Sequence, residues 1–263
     1  MSTHTAGYRS PGEVMMSELF PNHDGARPLS VDDLAGKSVE IALDEGSMVT
    51  LSFEDGSVDV NVSHYGSFAF LSGKLACEVI SVTDTILGAI FADERTQSSY
   101  YVIFEFDKSR AFVVHSDILS GPAGTGERTR FYQGGIGGAD AERFEHTSEL
   151  VGKRVFWKYS NTHHFEHIYL EPNRYCWHGI KGPEKGMGGV EPTSAFKIKD
   201  GLYLFSWSDT SVAFNGTIVI DLQGHVRCLG RLFGWERSEQ KGWQIIVGGP
   251  GQLLNETAQP ADL

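Results

Sequence analysis

The residues best able to do chemistry crowd into Ser148–Asp209. Trp157, Tyr159, His163, His164, Glu166, His167, Tyr169, Tyr175, Trp177, His178, Trp207 and Asp209 all fall in that stretch. Aromatic rings offer flat apolar contact with polar tips, and imidazoles and carboxylates exchange protons near neutral pH. That mixture suits the lining of a small-molecule pocket. With Phe165–Leu170 as a strand, Phe165, His167 and Tyr169 share one face, and Glu166, Ile168 and Leu170 share the other. The strand before it groups Val155, Trp157 and Tyr159, and the strand after it groups Tyr175 and Trp177 with His178 opposite. The same rings would also serve as plain core packing, with His167 a satisfied core histidine.

Asp209 stands two residues after Trp207 at a strand end, and Asp93 repeats the arrangement after Phe91. A carboxylate beside an indole can carry a raised pKa and act as general acid or base; an aspartate there can also simply cap a turn. The three histidines lack the HExxH spacing and a third convergent ligand, so no metal is expected. No Gly-x-Ser-x-Gly elbow is present, and none of the cysteines sits in a nucleophile context. The run Gly134-Gly135-Ile136-Gly137-Gly138 lacks the flanking strand, helix and Lys-Ser/Thr pair of a phosphate loop. No cofactor is expected.

The elements that must position these groups read as short strands. Ser47–Phe53 and Ser57–Val62 flank the hairpin signal Glu54-Asp55-Gly56, and Tyr100–Phe106 with Ala111–Val114 make another pair. Gly201–Trp207, Thr217–Ile220, Val226–Leu229 and Trp243–Val247 follow later in the chain. A phrase also recurs at one spacing. Leu34, Gly36, Lys37 and Val39 return as Leu150, Gly152, Lys153 and Val155; Asp84 returns as Asp200 and Asp93 as Asp209. Two copies of one β-rich unit is the economical architecture. Asp107 and Asp221 pair at a slightly shorter spacing, which reads as a small deletion in the second copy. The expected division is an N-terminal arm over 1–28, a first barrel over 29–122, a Gly-rich linker over 123–147, a second barrel over 148–248 and a tail over 249–263. The fold class is all-β, two tandem antiparallel barrels, because closure leaves no open strand edges.

A chain of 263 residues with 40% hydrophobic content has material for such cores. Its net charge of −12 excludes a nucleic-acid footprint and disfavours anionic membranes. The mixed-charge run Glu127-Arg128-Thr129-Arg130 reads as a solvated surface. Cys77, Cys176 and Cys228 are scattered and unpaired, as expected of reduced thiols in a cytoplasmic protein. The opening residues, with Glu13 and Glu18 and no long apolar run, are not expected to be a signal peptide. The expected partner is a small molecule, with no nucleic acid and no membrane; a homo-oligomer is left open.

Two resemblances enter on these residues. The phrases HHFEHIYL, RYCWHGIKG and DGLYLFSWSD resemble the MoaF family, whose members are built from lipocalin-like (calycin-type) barrels. That resemblance implies a barrel ligand and, through the family's name, a link to molybdenum cofactor metabolism. The order of Leu, Gly, Tyr, Glu and the Ser-Trp-Ser-Asp phrase also resembles the phenolic acid decarboxylases, small lipocalin-like barrels. In those enzymes tyrosines, an arginine and a glutamate line the pocket. Here Trp157 and Tyr159 stand at the first two tyrosines, His167 at the third after Glu166, and Asp209 at the glutamate. No arginine matches, and Lys185 is the nearest cation in sequence.

The resulting expectation is a cofactor-independent lyase or isomerase acting on a small aromatic or unsaturated organic acid. Asp209 is its proton donor or acceptor and His167 the partner. Tyr159 hydrogen-bonds substrate; Trp157, Trp177, Tyr169, Tyr175, Trp207 and, from the first copy, Asp93 complete the binding set. The alternative is a non-catalytic carrier or accessory protein. The first copy, with Val60, Tyr65, Phe91 and Asp93, is expected to be the poorer site.

Overall fold

The computed structural model describes residues 31–63, 72–121, 124–210, 212–223, 225–236 and 241–258. The expected N-terminal arm and Tyr65 lie outside the described residues. Two closed eight-stranded antiparallel barrels follow one another along the chain. The first consists of β1 (Ser38–Leu43), β2 (Met48–Glu54), β3 (Ser57–Ser63), β4 (Gly73–Thr83), β5 (Ile86–Asp93), β6 (Ser98–Glu105), β7 (Arg110–Gly121) and β8 (Gly124–Ile136). A two-residue strand, β9 (Glu145–His146), joins the edge of the second barrel. That barrel consists of β10 (Lys153–Lys158), β11 (His164–Glu171), β12 (Arg174–Lys181), β13 (Gly188–Lys199), β14 (Leu202–Ser208), β15 (Phe214–Asp221), β16 (Arg227–Glu236) and β17 (Lys241–Glu256). Pairing of β1 with β8 closes the first barrel and pairing of β10 with β17 closes the second. Among the described residues no helix is long and apolar enough to cross a membrane.

Two stretches that looked unstructured in sequence are the closing strands. Residues 124–136, expected to be linker, form β8, and 249–256, expected to be tail, extend β17. Glycine density argues against ordered structure on entropic grounds, but here it permits close backbone approach. A Cβ on Gly134 would stand 2.2 Å from the Ala42 carbonyl oxygen on β1. A Cβ on Gly251 would stand 2.4 Å from the Trp157 indole.

From β13 to Asp221 the two barrels keep the same spacing, and the next turn is one residue longer in the second copy, where Asp221 pairs with Arg227 as Glu105 pairs with Arg110. Leu202 pairs with Asp221 as Ile86 pairs with Glu105, so the counterpart of Asp221 is Glu105 rather than Asp107. No deletion intervenes. The match is also chemical: Arg110 holds Glu105 through its Nε at 2.6 Å, and Arg227 Nε reaches Asp221 at 3.5 Å.

Alternation along the strands produces three apolar layers. Ile41, Leu51, Val58, Val102 and Val113 belong to the first lumen. Trp157, Tyr175, Phe205, Ile218 and Val247 belong to the second. Outward residues of β4–β7, such as Ile90, Ile103 and Phe112, meet outward residues of β13–β17, such as Phe196, Val219 and Ile246. Buried polar groups cross this joint and bond on its far side. Arg231, 0% exposed, donates to Asn215 Oδ1 and to Ser116 Oγ, both at 2.9 Å. The Tyr101 hydroxyl donates to the Leu229 carbonyl at 3.2 Å. A buried polar group left unpaired costs about 1–3 kcal/mol, so these contacts hold the barrels in one relative position.

Candidate functional site

The second lumen is organised around His167. On β11 it shares the inward face with Phe165 and Tyr169, and β10 places Trp157 and Tyr159 beside it. Ring centroids stand 4.9 Å away for Tyr175, 5.7 Å for Trp207, 6.0 Å for Tyr169, 6.1 Å for Phe205, 6.2 Å for Tyr159 and 6.3 Å for Trp157. The imidazole meets a phenol at each nitrogen: Tyr159 Oη at 3.4 Å from Nε2 and Tyr169 Oη at 3.5 Å from Nδ1. Burial among these rings pushes its pKa down to about 3, so the ring is neutral at physiological pH. Burial likewise raises the phenols of Tyr159, Tyr169 and Tyr175 above their ordinary value.

Local structure explains how large rings fit. Gly216 on β15 lies against the Trp207 indole, where a Cβ would meet Cζ2 at 2.1 Å. Trp177, on the inward face of β12, directs its indole nitrogen at Glu191 Oε1, 3.5 Å away. Glu166 sits on the opposite face of β11, held by Arg154 at 2.5 Å. His163 is consumed by a turn: Ser160 Oγ and Thr162 Oγ1 both approach its Nδ1, at 3.2 and 3.0 Å. Among the described residues no cluster of His, Cys, Asp or Glu has the makings of a metal site.

The barrel end formed by the loops after Lys158, Lys181 and Ser208 carries three carboxyl groups. Asp209 accepts from the Val212 amide at 3.1 Å. Glu191, 3% exposed, accepts from the Thr210 amide at 2.8 Å. Glu184 lies in the loop between β12 and β13, which folds back so that Gly179 and Met187, and Gly186 and Gly179, exchange backbone hydrogen bonds. The residue as a whole is half-buried, but Oε2 is sealed from solvent and has no hydrogen-bond partner. Burial first, then the charge of Asp209, pushes its pKa up to about 8. The Glu184 carboxyl also bears electrostatically on the Tyr159 phenol.

Of the residues singled out in the sequence, Trp157, Tyr159, His167, Tyr169, Tyr175, Trp177 and Trp207 share one lumen, with Asp209 at its rim. Asp93 does not join them. It lies in the first barrel, 2% exposed, gripped by Arg95 through Nε at 2.9 Å and Nη2 at 2.8 Å. Those bonds from Arg95 hold its carboxyl below the usual range. Lys185 is exposed in the β12–β13 loop.

Residues 144–257 match the model of the MoaF C-terminal domain. That match covers the second barrel, which is similar to the MoaF C-terminal domain. Over 112 residues the chain is 36% identical to Protein MoaF of Klebsiella aerogenes, a stretch covering 42% of this chain and 42% of that relative. The MoaF-type barrel thus contains every residue of the His167 site, and the aligned part spans less than half of that relative.

Sequence reasoning missed Glu184 and Glu191. Glu191 was accessible in principle, since it pairs across from Tyr175 on a neighbouring strand. Glu184 sits in a Gly-rich loop with no period, and only the folding back of that loop turns its carboxyl inward. The run Glu127–Arg130 was also misjudged as solvated: Arg128 and Arg130 both engage Asp117 in the first barrel. Period two along β7 was the available signal, since it groups Ala111, Val113, His115 and Asp117 on the inward face.

Proposed function

We propose that the second barrel holds a small aromatic or unsaturated molecule among its rings and moves a proton on it without a cofactor, as a lyase or isomerase. The observation that carries this reading is Glu184: one carboxyl oxygen sealed from solvent without a hydrogen-bond partner, in a group whose pKa burial raises to about 8 and which bears electrostatically on Tyr159 at the mouth of an aromatic lumen. A group whose pKa lies near the working pH is suited to general acid catalysis. Glu184 would give its proton to the substrate, and Asp209 would take one from it; exchange between the two carboxyls resets the site. Tyr159 would hydrogen-bond the substrate, and Trp157, Tyr169, Tyr175, Trp177 and Trp207 would form its apolar walls. His167, neutral and enclosed, would orient the phenols and would not be the proton partner of Asp209. Neither Glu184 nor Glu191 has an ion pair among the described residues. A substrate carboxylate would meet repulsion at this end, so the reading favours an uncharged or cationic head group.

The test starts with native mass spectrometry of freshly purified protein to recover a bound compound, followed by turnover of that compound. Glu184→Gln and Asp209→Asn are expected to lower kcat by about 100-fold or more, the range of a lost general acid or base. His167→Leu is expected to weaken binding with a smaller effect on kcat. Turnover at the wild-type rate by both carboxyl variants would remove the catalytic reading.

A second reading, a non-catalytic carrier or accessory protein, is favoured by the enclosure of His167 between two phenols, an arrangement suited to holding a ligand. It predicts retention of the recovered compound without product and tolerance of Asp209→Asn.

A further inference from the structure

The first barrel carries a charged cluster at the corresponding end, and its groups point into the lumen. Period two places His115 and Asp117 on the inward face of β7, in line with the core residues Ala111 and Val113. Asp117 Oδ1 accepts from Ser98 Oγ at 2.9 Å and lies 2.6 Å from His115 Nε2. Its other oxygen, Oδ2, accepts from Arg128 Nη2 at 3.0 Å and from Arg130 Nη2. The cluster also settles the tautomer of His115. Arg130 Nη2 stands 3.1 Å from Nδ1, and a guanidinium can only donate, so Nδ1 is the acceptor and Nε2 carries the proton toward Asp117.

The carboxylate of Asp117 is thereby saturated, and the guanidiniums are not. Two of them converge on a single oxygen. Arg130 Nε reaches the Tyr132 hydroxyl at 3.1 Å, yet Arg130 Nη1 and the Nε and Nη1 groups of Arg128 have no acceptor among the described residues. The nearby Asp93 is paired with Arg95, which leaves the two guanidiniums of Arg128 and Arg130 sharing the one carboxylate of Asp117. The Arg130 side chain is 29% exposed and that of Arg128 53%, so both can be reached from solvent.

We propose that this end of the first barrel is a second binding site, for the carboxylate group of a small organic acid, independent of the His167 site. Planar N–H forks match a planar pair of oxygens. Apolar lumen residues adjoin the cluster, since Phe91 stacks on Tyr100 at 5.2 Å and Tyr100 on His115 at 4.5 Å, so the acid would carry an apolar body. The two barrels would then accept ligands of opposite electrostatic character.

Isothermal titration of the full chain with benzoate, and separately with inorganic phosphate, tests this. Benzoate is expected to bind. Arg128→Gln, at a half-exposed position, is expected to weaken binding about tenfold or more, the loss expected of a charged hydrogen bond, without lowering the unfolding temperature. Arg130→Lys, which keeps the charge and loses the fork, is expected to weaken it as well. The proposal is overturned by absence of benzoate binding, by wild-type affinity in both variants, or by binding of phosphate alone.

Discussion

The two barrels share strand order, pairing and closure, yet their polar groups line opposite walls. In the second barrel the functional wall is β10–β12, with Trp157, Tyr159, His167 and Trp177. The equivalent pairs in the first, fixed by matching Val155–His167 to Val39–Leu51 and Tyr169–Tyr175 to Phe53–Val58, are aliphatic with one phenylalanine. On the remaining wall the roles reverse. His115 faces Tyr100 in the first barrel where Leu232 faces Gly216 in the second, and Asp117 faces Arg128 where Gly234 faces Trp243. Each barrel therefore keeps one hydrocarbon wall. Apolar burial of about 25 cal/mol per Å² on that wall offsets the desolvation of histidine, carboxylate or guanidinium on the other. Duplication let each copy give up packing on a different side.

The largest test of this contrast compares the matching ion pairs. Glu105 and Arg110 are both buried, and Arg110 also donates to the Ile198 carbonyl across the joint at 2.9 Å. Glu105→Ala should leave that buried guanidinium without its counter-charge and lower stability by about 3–5 kcal/mol in denaturant titration. The next comparison installs the first barrel's residue in the second. His167→Leu places a leucine where the first barrel has Leu51. The folded pKa of His167 lies below the ordinary 6.5, so its contribution is intact above that pH and is lost as pH falls toward 3. The variant should lack this acid sensitivity and exceed the wild type by about 3 kcal/mol near pH 4. An unchanged acid profile would show that His167 is solvated rather than enclosed.

Glu184 has the opposite sign. Its folded pKa is raised from 4.5 to about 8, so its contribution is whole at low pH and is lost as pH rises through 8. Glu184→Gln should flatten this decline, which runs between about pH 4.5 and 8, and with solvent screening of the half-buried side chain allowed for should gain about 2 kcal/mol on the wild type by pH 8 in thermal or chemical unfolding. The smallest effect belongs to the second barrel's version of the ion pair. Arg227 is 39% exposed, so Asp221→Ala should change stability by no more than about 1 kcal/mol. A cost as large as that of Glu105→Ala would erase the distinction between the two copies.

Much of the architecture was legible before the fold was known. The returning Leu-x-Gly-Lys phrase and the alternation around Phe165–Leu170 report local backbone preferences and a period that any half-buried strand must show. The His167 lining could be read for the same reason, since it comes from three consecutive strands. What escaped were β8 and the end of β17, where glycines permit a close approach between strands distant in sequence. Glu184 escaped because loop geometry, not period, aims its carboxyl. The cluster at His115 escaped because its members sit on separate strands, and a charged run reads as surface until the barrel closes around it.

By itself the amino-acid sequence determined the all-β class, the duplication and the shared faces of β10, β11 and β12, because these follow from local phrases and from periodicities of two along a short stretch of chain. Which inward faces meet was decided only by closure. The pairing of β10 with β17 and the folding back of the β12–β13 loop set the dielectric around His167 and Glu184, and with it their protonation. Protonation depends on everything within a few ångströms in space, and in a barrel most of that lies far away along the chain.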